Sequence, residues 1–497
     1  MSDWIPGIQD QLGWGINIFG SYFQSAHHPS SKLQNQLLDA TISGATEEIT
    51  INGVSFKKPV NVAVDSGHTF SGGTYVYESK SKVVEHWQQE ADVKGSYGAF
   101  SGGFKESFQS SSESESNLYY CMHEASSLVY SLNLRNPAIS MISKAVLADP
   151  DFAEFQSILN QGTPIDDSNR EKYYRFFYKY GTHIITTVRM GGYVNYYATA
   201  QSSYAQSKQE FTAQVSAEYG ALFSAHASGA WGKVDEKWMS SRRAKLIGYG
   251  GNPGSKLVSD IFSNWGKDTD FSADFKEWVA SVPGDPSPVG FTLYPIASLF
   301  AGTQANLVHQ AYLEYASAQM NVHLTKGPVG ISVIWRGQDL AAPQPGVHQL
   351  VWVLIDRVTG KSTLVPHPTN DKGYDDLGKV PDQVKNQPNK KSLVLFCQPV
   401  GLVGSGFGGG GPPQGSLLSF LRTCGAGDAL DEVLAWKGWK EQFYSQGYYC
   451  LLGEIGSAPQ TGAELQTMGD TAKHLNWDVP IIPVWDGHNV VYSVLNW

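Results

Sequence analysis

The sequence predicts an α+β chain in two parts, a large N-terminal domain over residues 1–325 and a separate β-rich mixed domain over residues 329–497. Three observations predict it. Two long stretches alternate apolar and polar residues with a period of two, aromatic helical blocks lie between them, and the character of the chain changes at Lys326-Gly327-Pro328. At 497 residues the chain also exceeds what a single hydrophobic core supports.

The first alternating stretch spans residues 119–135, with Tyr120, Met122, Leu128, Tyr130, Leu132 and Leu134 on one parity and Leu118 just ahead, the pattern of a half-buried strand. Phe152, Phe155, Ile158 and Leu159 then sit at helical spacing after Pro150, and a second helix starting near Asp167 or Ser168 carries Tyr173, Phe176, Phe177 and Tyr180. The second long strand follows, with Ile184, Thr186, Val188, Met190, Val194 and Tyr196 on one parity. Residues 244–250 read as a strand closed by the turn-forming Gly250-Gly251-Asn252-Pro253, and helices return at 271–282 and 305–320. Beyond Pro328, residues 331–335, 349–356, 392–397, 448–452, 481–485 and 490–495 are strand-like, and 417–421 and 428–444 are helical.

Composition narrows the function. Hydrophobic residues at 41% and charged residues at 16% describe a folded globular protein, and the net charge of −10 excludes nucleic acid as the main partner, which would need a concentrated cationic surface. No run of eighteen apolar residues exists, so any membrane span must be β-structure. Residues 1–23 carry Asp3 and Asp10 and lack a basic stretch followed by an apolar block, so no secretory signal is recognisable and the protein is expected to be made in soluble form. Cys121, Cys397, Cys424 and Cys450 are too few for a disulfide scaffold and fit no zinc spacing; they read as buried thiols, with a bridge between two of the last three left open.

Residues 211–231 carry two periods at once. Odd positions read Phe211, Ala213, Val215, Ala217, Tyr219, Ala221, Phe223, Ala225, Ala227, Gly229 and Trp231, while even positions include Thr212, Gln214, Ser216, Glu218, Ser224, His226 and Ser228. A transmembrane strand needs roughly 9 to 11 alternating residues, so the segment can supply one hairpin. Phe211, Val215, Tyr219 and Phe223 also recur every four residues, close to one stripe of a helix. The same side chains therefore suit a soluble amphipathic helix and one face of a strand. Phe100, Phe104 and Phe108 share the spacing more weakly, with Glu106 interrupting the strand face.

Between these segments lies Tyr180-Gly181-Thr182-His183-Ile184, followed after six residues by Gly191-Gly192. Gly181 permits a sharp exit from helix to strand, and Gly191-Gly192 removes side chains where a sheet bends or another element passes close, so the glycines read as a hinge. His183 has no accompanying nucleophile or carboxylate and reads as a buried packing residue. This segment is similar to the signature of the membrane-attack-complex/perforin (MACPF) family, with Ile184 where the family usually has Phe or Tyr, and the resemblance covers residues 50–320.

The resemblance implies a bent, twisted antiparallel β-sheet flanked by two helical clusters, near residues 94–116 and 205–235, that unfurl into transmembrane hairpins. It implies a non-enzymatic pore former that binds a target membrane, assembles as a homo-oligomeric ring and inserts a β-barrel. The C-terminal domain would recognise a lipid, glycan or protein receptor. Cytolytic, insecticidal, defence and developmental roles all fit, and a non-lytic adhesion or signalling protein is the alternative. No cofactor and no metal is expected. Gly406 to Gly411 satisfies G-x-G-x-x-G, but Pro412-Pro413 intervenes before the helix and a loop is the better reading; Gly360-Lys361-Ser362 lacks the earlier P-loop glycine. His123-Glu124 has no second histidine at metalloprotease spacing, and Asp371, Asp375 and Asp376 lack calcium-loop spacing. The tryptophans at 335, 352, 436, 439, 477, 485 and 497 suit sugar stacking if exposed and core packing if not.

Overall fold

The structure is a computed structural model that describes residues 3–18, 33–78, 80–93, 108, 118–166, 168–201, 207–223, 231–258, 260–262, 265–266, 269–316, 319–325, 330–335, 338–341, 350–368, 376–400, 412–435, 447–467, 475–485 and 490–494. The chain divides into two compact units, one of residues 1–110, 116–165 and 175–312 and one of residues 111–115, 166–174 and 313–497.

The first unit is built on strands β1 (Trp14–Ile16), β2 (Leu33–Gln36), β3 (Thr46–Ile51), β4 (Val54–Pro59), β5 (Val62–Tyr77), β6 (Leu118–Leu134), β7 (His183–Gln201), β8 (Arg243–Tyr249), β9 (Asp260–Phe262) and β10 (Ser287–Pro295). The long strands β5, β6 and β7 pair antiparallel in sequence order, and β8 continues the sheet beyond β7. β7 is shared: residues 183–191 pair with β10 and residues 193–199 with β8. The two alternating stretches are thus central strands, each hydrogen-bonded to a neighbour along both edges. β1 to β5, β9 and β10 went unread in the sequence.

Three ladders change register at one level of this sheet. The β5–β6 pairing shifts between Ser66 and Thr69, β6–β7 between Leu128 and Tyr130, and β7–β10 between Pro288 and Gly290, the last two meeting at Met190. Bulges bend the strand that carries them and raise its twist, so a line of bulges across neighbouring strands bends the sheet as a body.

Besides the short helix Lys144–Leu147, the described helices of this unit are α1 (Lys80–Glu90), α2 (Pro150–Gln161), α3 (Arg170–Tyr180), α4 (Lys208–Phe223), α5 (Glu236–Ser241), α6 (Ser272–Ser281) and α7 (Gly302–Ala316), with α3 and α7 running on into residues of the second unit. Asp149 caps α2, its side chain accepting from Asp151 N, with Pro150 at the first position and Gly162 closing the helix at φ 67°. Phe155 stacks on Phe176 of α3 at 3.8 Å, which is why the two aromatic blocks recur at helical spacing.

The second unit holds two five-stranded antiparallel sheets. β11 (Gln319–Thr325), β12 (Gly330–Trp335), β13 (Gln338–Ala341), β19 (Leu475–Trp485) and β20 (Val490–Val494) form one. β14 (Val351–Asp356), β15 (Ser362–Val365), β16 (Ser392–Val400), β17 (Gly447–Glu454) and β18 (Ala463–Thr467) form the other. Helices α8 (Gly415–Thr423) and α9 (Asp428–Ala435) bury Leu417, Leu421, Leu430 and Val433 in one core with Trp352, Phe396, Tyr449 and Leu451 of that second sheet.

The helix expected over residues 305–320 ends at Ala316, and Met320 lies in β11 instead. Residues 319–325 alternate and hydrogen-bond to both β12 and β19, so pairing overrides any helical preference there. The compact division falls between Tyr312 and Leu313, within α7. All four cysteines are buried and free, with Cys397 opposite Cys450 across β16 and β17. Trp335, Trp352 and Trp477 are core residues, and Trp436, Trp439 and Trp497 lie outside the described residues.

Candidate functional site

The segment of residues 180–184 is a junction between helix and sheet. Gly181 has φ 83°, and a β-carbon there would stand 2.5 Å from Ile16 N, so only glycine fits. Thr182 locks the junction: its N–H donates to Ile16 O at 3.0 Å, its hydroxyl accepts from Ile18 N at 3.2 Å, and its carbonyl accepts from Ile296 N at 3.0 Å. The Tyr180 hydroxyl donates to Asp149 at the start of α2. His183 is buried, with Nδ1 3.2 Å from the Thr182 hydroxyl, and burial pulls its pKa down to about 3. These four residues therefore tie α3, β1, β7 and the end of β10 together and offer no reactive group. A polar cleft of about 570 Å³ beside them is lined by Asp39, Lys144, Asp149 and Lys179 among others, and Lys179 is paired with Asp149 and Asp151.

Gly191 and Gly192 sit where β7 changes partners from β10 to β8. A β-carbon on Gly191 would lie 2.0 Å from Ser127 O of β6, and one on Gly192 would lie 2.7 Å from the Trp278 ring of α6. The register shift of the β6–β7 ladder passes here, and α6 packs directly on the strand.

Residues 208–223 form α4, with Phe211, Val215, Tyr219, Ala221 and Leu222 buried, Phe223 half-buried and Ala213 exposed. The four-residue stripe lies on the face of β5 and β6 that carries Thr74, Tyr119 and His123. Phe211 stacks on Tyr119 at 4.4 Å, Tyr219 stacks on His123 at 3.8 Å, and the Ser216 hydroxyl meets Thr74 Oγ1 at 2.8 Å. Burial lowers His123 to about 4. Trp231 is buried, with its indole N–H donating to Thr269 O at 3.0 Å. On the opposite face, Phe108 packs edge-on against Tyr120 and Tyr197, while Phe100 and Phe104 lie outside the described residues.

One residue of α4 breaks the apolar rule. Glu218 is fully buried, and its carboxylate accepts hydrogen bonds from Tyr196 Oη at 2.8 Å, Trp238 Nε1 at 2.6 Å, Trp265 Nε1 at 2.7 Å and Arg242 Nε at 2.8 Å. Burial alone would lower Arg242, but the adjacent Glu218 carboxylate outweighs it and raises the guanidinium further. A buried charge needs such pairing to be tolerated at all. The sequence reading placed Glu218 among the polar even positions and missed this cluster; the available signal was that Glu218 is the lone carboxylate in residues 211–231.

Strand topology gives these segments a common address. Tyr77 of β5 pairs with Tyr120 of β6, Leu118 of β6 with Gln201 of β7, and Thr199 of β7 with Arg243 of β8. The chain between β5 and β6 and the chain between β7 and β8 therefore leave and re-enter the four adjacent strands at one end of the sheet.

The sequence matches the family model of the MAC/Perforin domain over residues 5–324. The chain belongs to the MAC/perforin family. Among solved structures, this MACPF chain is similar to GNIP1Aa from Chromobacterium piscinae, at 16% identity with a TM-score of 0.50, over 98% of this chain and 82% of that one. A putative cell invasion protein with a MAC/Perforin domain from Bacteroides thetaiotaomicron aligns at 11% identity and a TM-score of 0.40, over 66% of this chain and 68% of the other. A non-hemolytic pneumolysin from Streptococcus pneumoniae aligns at 12% identity and a TM-score of 0.23, over 67% and 60%. No curated protein matches. The MACPF fold thus has its antiparallel sheet with helical segments on both faces and an additional strand-rich unit after the domain. No helix among the described residues is long and apolar enough to cross a membrane.

Proposed function

We propose that this MACPF protein perforates membranes: it binds a target membrane, assembles with copies of itself into a ring, and converts the segments between β5 and β6 and between β7 and β8 into transmembrane β-hairpins. The observation that carries the reading is their shared point of insertion at one end of four adjacent antiparallel strands. Straightening either segment extends strands that are already paired. Each is about forty residues long (78–117 and 202–242), ample for two strands of roughly 9 to 11 residues and a turn.

Energetics favour a membrane-triggered step. Pulling Phe211, Val215, Tyr219 and Leu222 off the sheet exposes four buried side chains, at ~1.5–3 kcal/mol each. Lipid offsets that cost only if the strands close into a barrel, since open strand edges are not tolerated in hydrocarbon, which is the physical argument for a ring. Tyr180, Gly181, Thr182 and His183 fix the root of β7, and Gly191 and Gly192 act as the hinge above it. The candidates for the lipid-facing positions are Phe100, Phe104 and Phe108 in the first segment and Phe211, Val215, Tyr219, Phe223 and Trp231 in the second. The C-terminal unit, taken as residues 329–497 or from 313, recognises a lipid, glycan or protein receptor, and the role is that of a cytolytic toxin or defence effector.

The test is dye release from liposomes of defined lipid and glycan composition, read with Ala213→Arg and Thr212→Arg. Ala213 is exposed and Thr212 half-exposed in the soluble helix, so both variants should fold. In a hairpin Ala213 faces lipid and Thr212 the lumen, and arginine on the lipid face costs about 2–4 kcal/mol near the bilayer midplane. Ala213→Arg should lose most release and Thr212→Arg little. Equal loss in folded, membrane-binding variants would contradict the hairpin.

A further inference from the structure

Three groups that the pore-forming reading does not use converge on the face of the sheet opposite α4. His86 and Glu90 lie one turn apart on α1, and Glu124 reaches them from β6. His86 Nε2 stands 3.1 Å from Glu124 Oε2 and 3.9 Å from Glu90 Oε1, and one donor atom from each residue fits within a mutual distance of 4.8 Å. Glu124 Oε1 is buried and accepts no hydrogen bond among the described residues. A cavity of about 160 Å³ opens between Glu90 and Glu124, bounded by Tyr75, Asn195 and the glycines at 72 and 73. The Tyr75 ring packs at 4.4 Å on His86 and holds the imidazole in place.

We propose that His86, Glu90 and Glu124 bind a divalent transition-metal cation of the zinc type, and that the bound ion clamps α1 to β6. One imidazole nitrogen and two carboxylates are a mixed nitrogen and oxygen donor set suited to zinc rather than to calcium or magnesium, which take oxygen ligands in larger number. Ligand atoms around tetrahedral zinc stand roughly 3.4 Å apart, from metal–ligand lengths of about 2.0–2.2 Å. The two His86 to carboxylate separations bracket that spacing, so small side-chain adjustments close the triangle. The ion would take the position between His86 Nε2 and Glu124 Oε2 and engage the Glu124 carboxylate that is incompletely paired. The cavity leaves room for water in the fourth position. Sequence alone shows only the His86 and Glu90 spacing, since Glu124 is brought to it by the β5–β6 pairing of Gly73 with Glu124.

The clamp has a consequence that rests on the hairpin reading. α1 opens the segment between β5 and β6, so an ion joining α1 to β6 holds that segment against the sheet and should slow its release. Binding itself is measured without membranes, which separates failure of the site from failure of the pore-forming reading.

The experiment titrates metal-free full-length protein with Co²⁺, followed by visible absorption, and with Zn²⁺, followed by calorimetry and thermal unfolding. One ion should bind per chain, and a hundredfold excess over Kd should raise the unfolding midpoint by about 5 °C. His86→Ala and Glu124→Gln should each abolish stoichiometric binding. Glu90→Gln, at a partly exposed position expected to fold, should weaken it at least tenfold and keeps the test open should the other two misfold. Zn²⁺ held near the wild-type Kd should slow dye release by the wild-type protein and leave Glu90→Gln nearly unaffected. No binding, or binding that survives all three substitutions, would overturn the site. Stoichiometric binding with unchanged release would overturn the clamp.

Discussion

Glu218→Gln puts the account under the most strain. The carboxylate is the common acceptor for Tyr196, Trp238, Trp265 and Arg242, and it lies on the helix proposed to leave the sheet. The amide keeps the shape but removes the charge and turns an NH₂ group toward donors that need an acceptor, leaving Arg242 buried and unpaired. Removing one partner of a buried ion pair costs about 3–5 kcal/mol. At 1.4 kcal/mol per tenfold, the local opening of α4 should become on the order of a hundred to a few thousand times more frequent. Hydrogen exchange at the amides of residues 208–223 reads that quantity directly, and dye release should start sooner. The paired replacement Glu218→Leu with Arg242→Met should recover only the part of the loss that comes from the unpaired charge, because the buried donors of Tyr196, Trp238 and Trp265 still lack an acceptor. A change in protection below about 1 kcal/mol for Glu218→Gln, or a double variant that costs the sum of both single changes, would refute the idea that this cluster latches α4.

Two further outcomes follow from individual positions. Gly220 is exposed within α4 and a β-carbon there meets nothing within 4 Å, so Gly220→Ala should stabilise the soluble helix by about 1 kcal/mol and slow dye release roughly fivefold; unchanged release would mean that helix melting does not precede the slow step. His183, held neutral by burial at a pKa of about 3 against the usual 6.5, leaves the unfolded chain the better proton binder between those values. Its contribution is therefore complete above about pH 6.5 and is lost as pH falls toward 3, by up to ~1.4 kcal/mol per pH unit. His183→Gln should flatten the stability profile by one proton in that window, and identical slopes would show that His183 is not the group responsible.

The sequence was most legible where burial is two-sided. β6 and β7 lie inside the sheet, so their apolar residues had to alternate or run together, and the aromatic stripes of α2 and α3 had to recur at helical spacing. β5 was not legible. Its residues 66–73 read Ser-Gly-His-Thr-Phe-Ser-Gly-Gly and are exposed or half-exposed, and on a strand with one neighbour nothing forces an apolar period. The stripe of Phe211, Val215 and Tyr219 showed which side of α4 is buried, but not that Glu218 is buried with it, since the four donors come from β7, α5, the residue after α5 and the segment near Trp265. Ala221, with no exposed surface, also shows why a charge there would report on folding rather than on lipid, whereas Ala213 reports on lipid.

The central claim, that α4 must leave the sheet for lysis, is tested most directly by a reversible lock. Ser216 and Thr74 bring their hydroxyl oxygens to 2.8 Å across the α4–β5 contact, close enough for cysteines at both positions to meet the geometry of a disulfide. The native thiols are buried and do not compete. The oxidised Thr74→Cys, Ser216→Cys protein should bind vesicles and assemble yet release no dye, and reductant should restore release. Dye release by the oxidised protein at the rate of the unmodified chain would contradict the account.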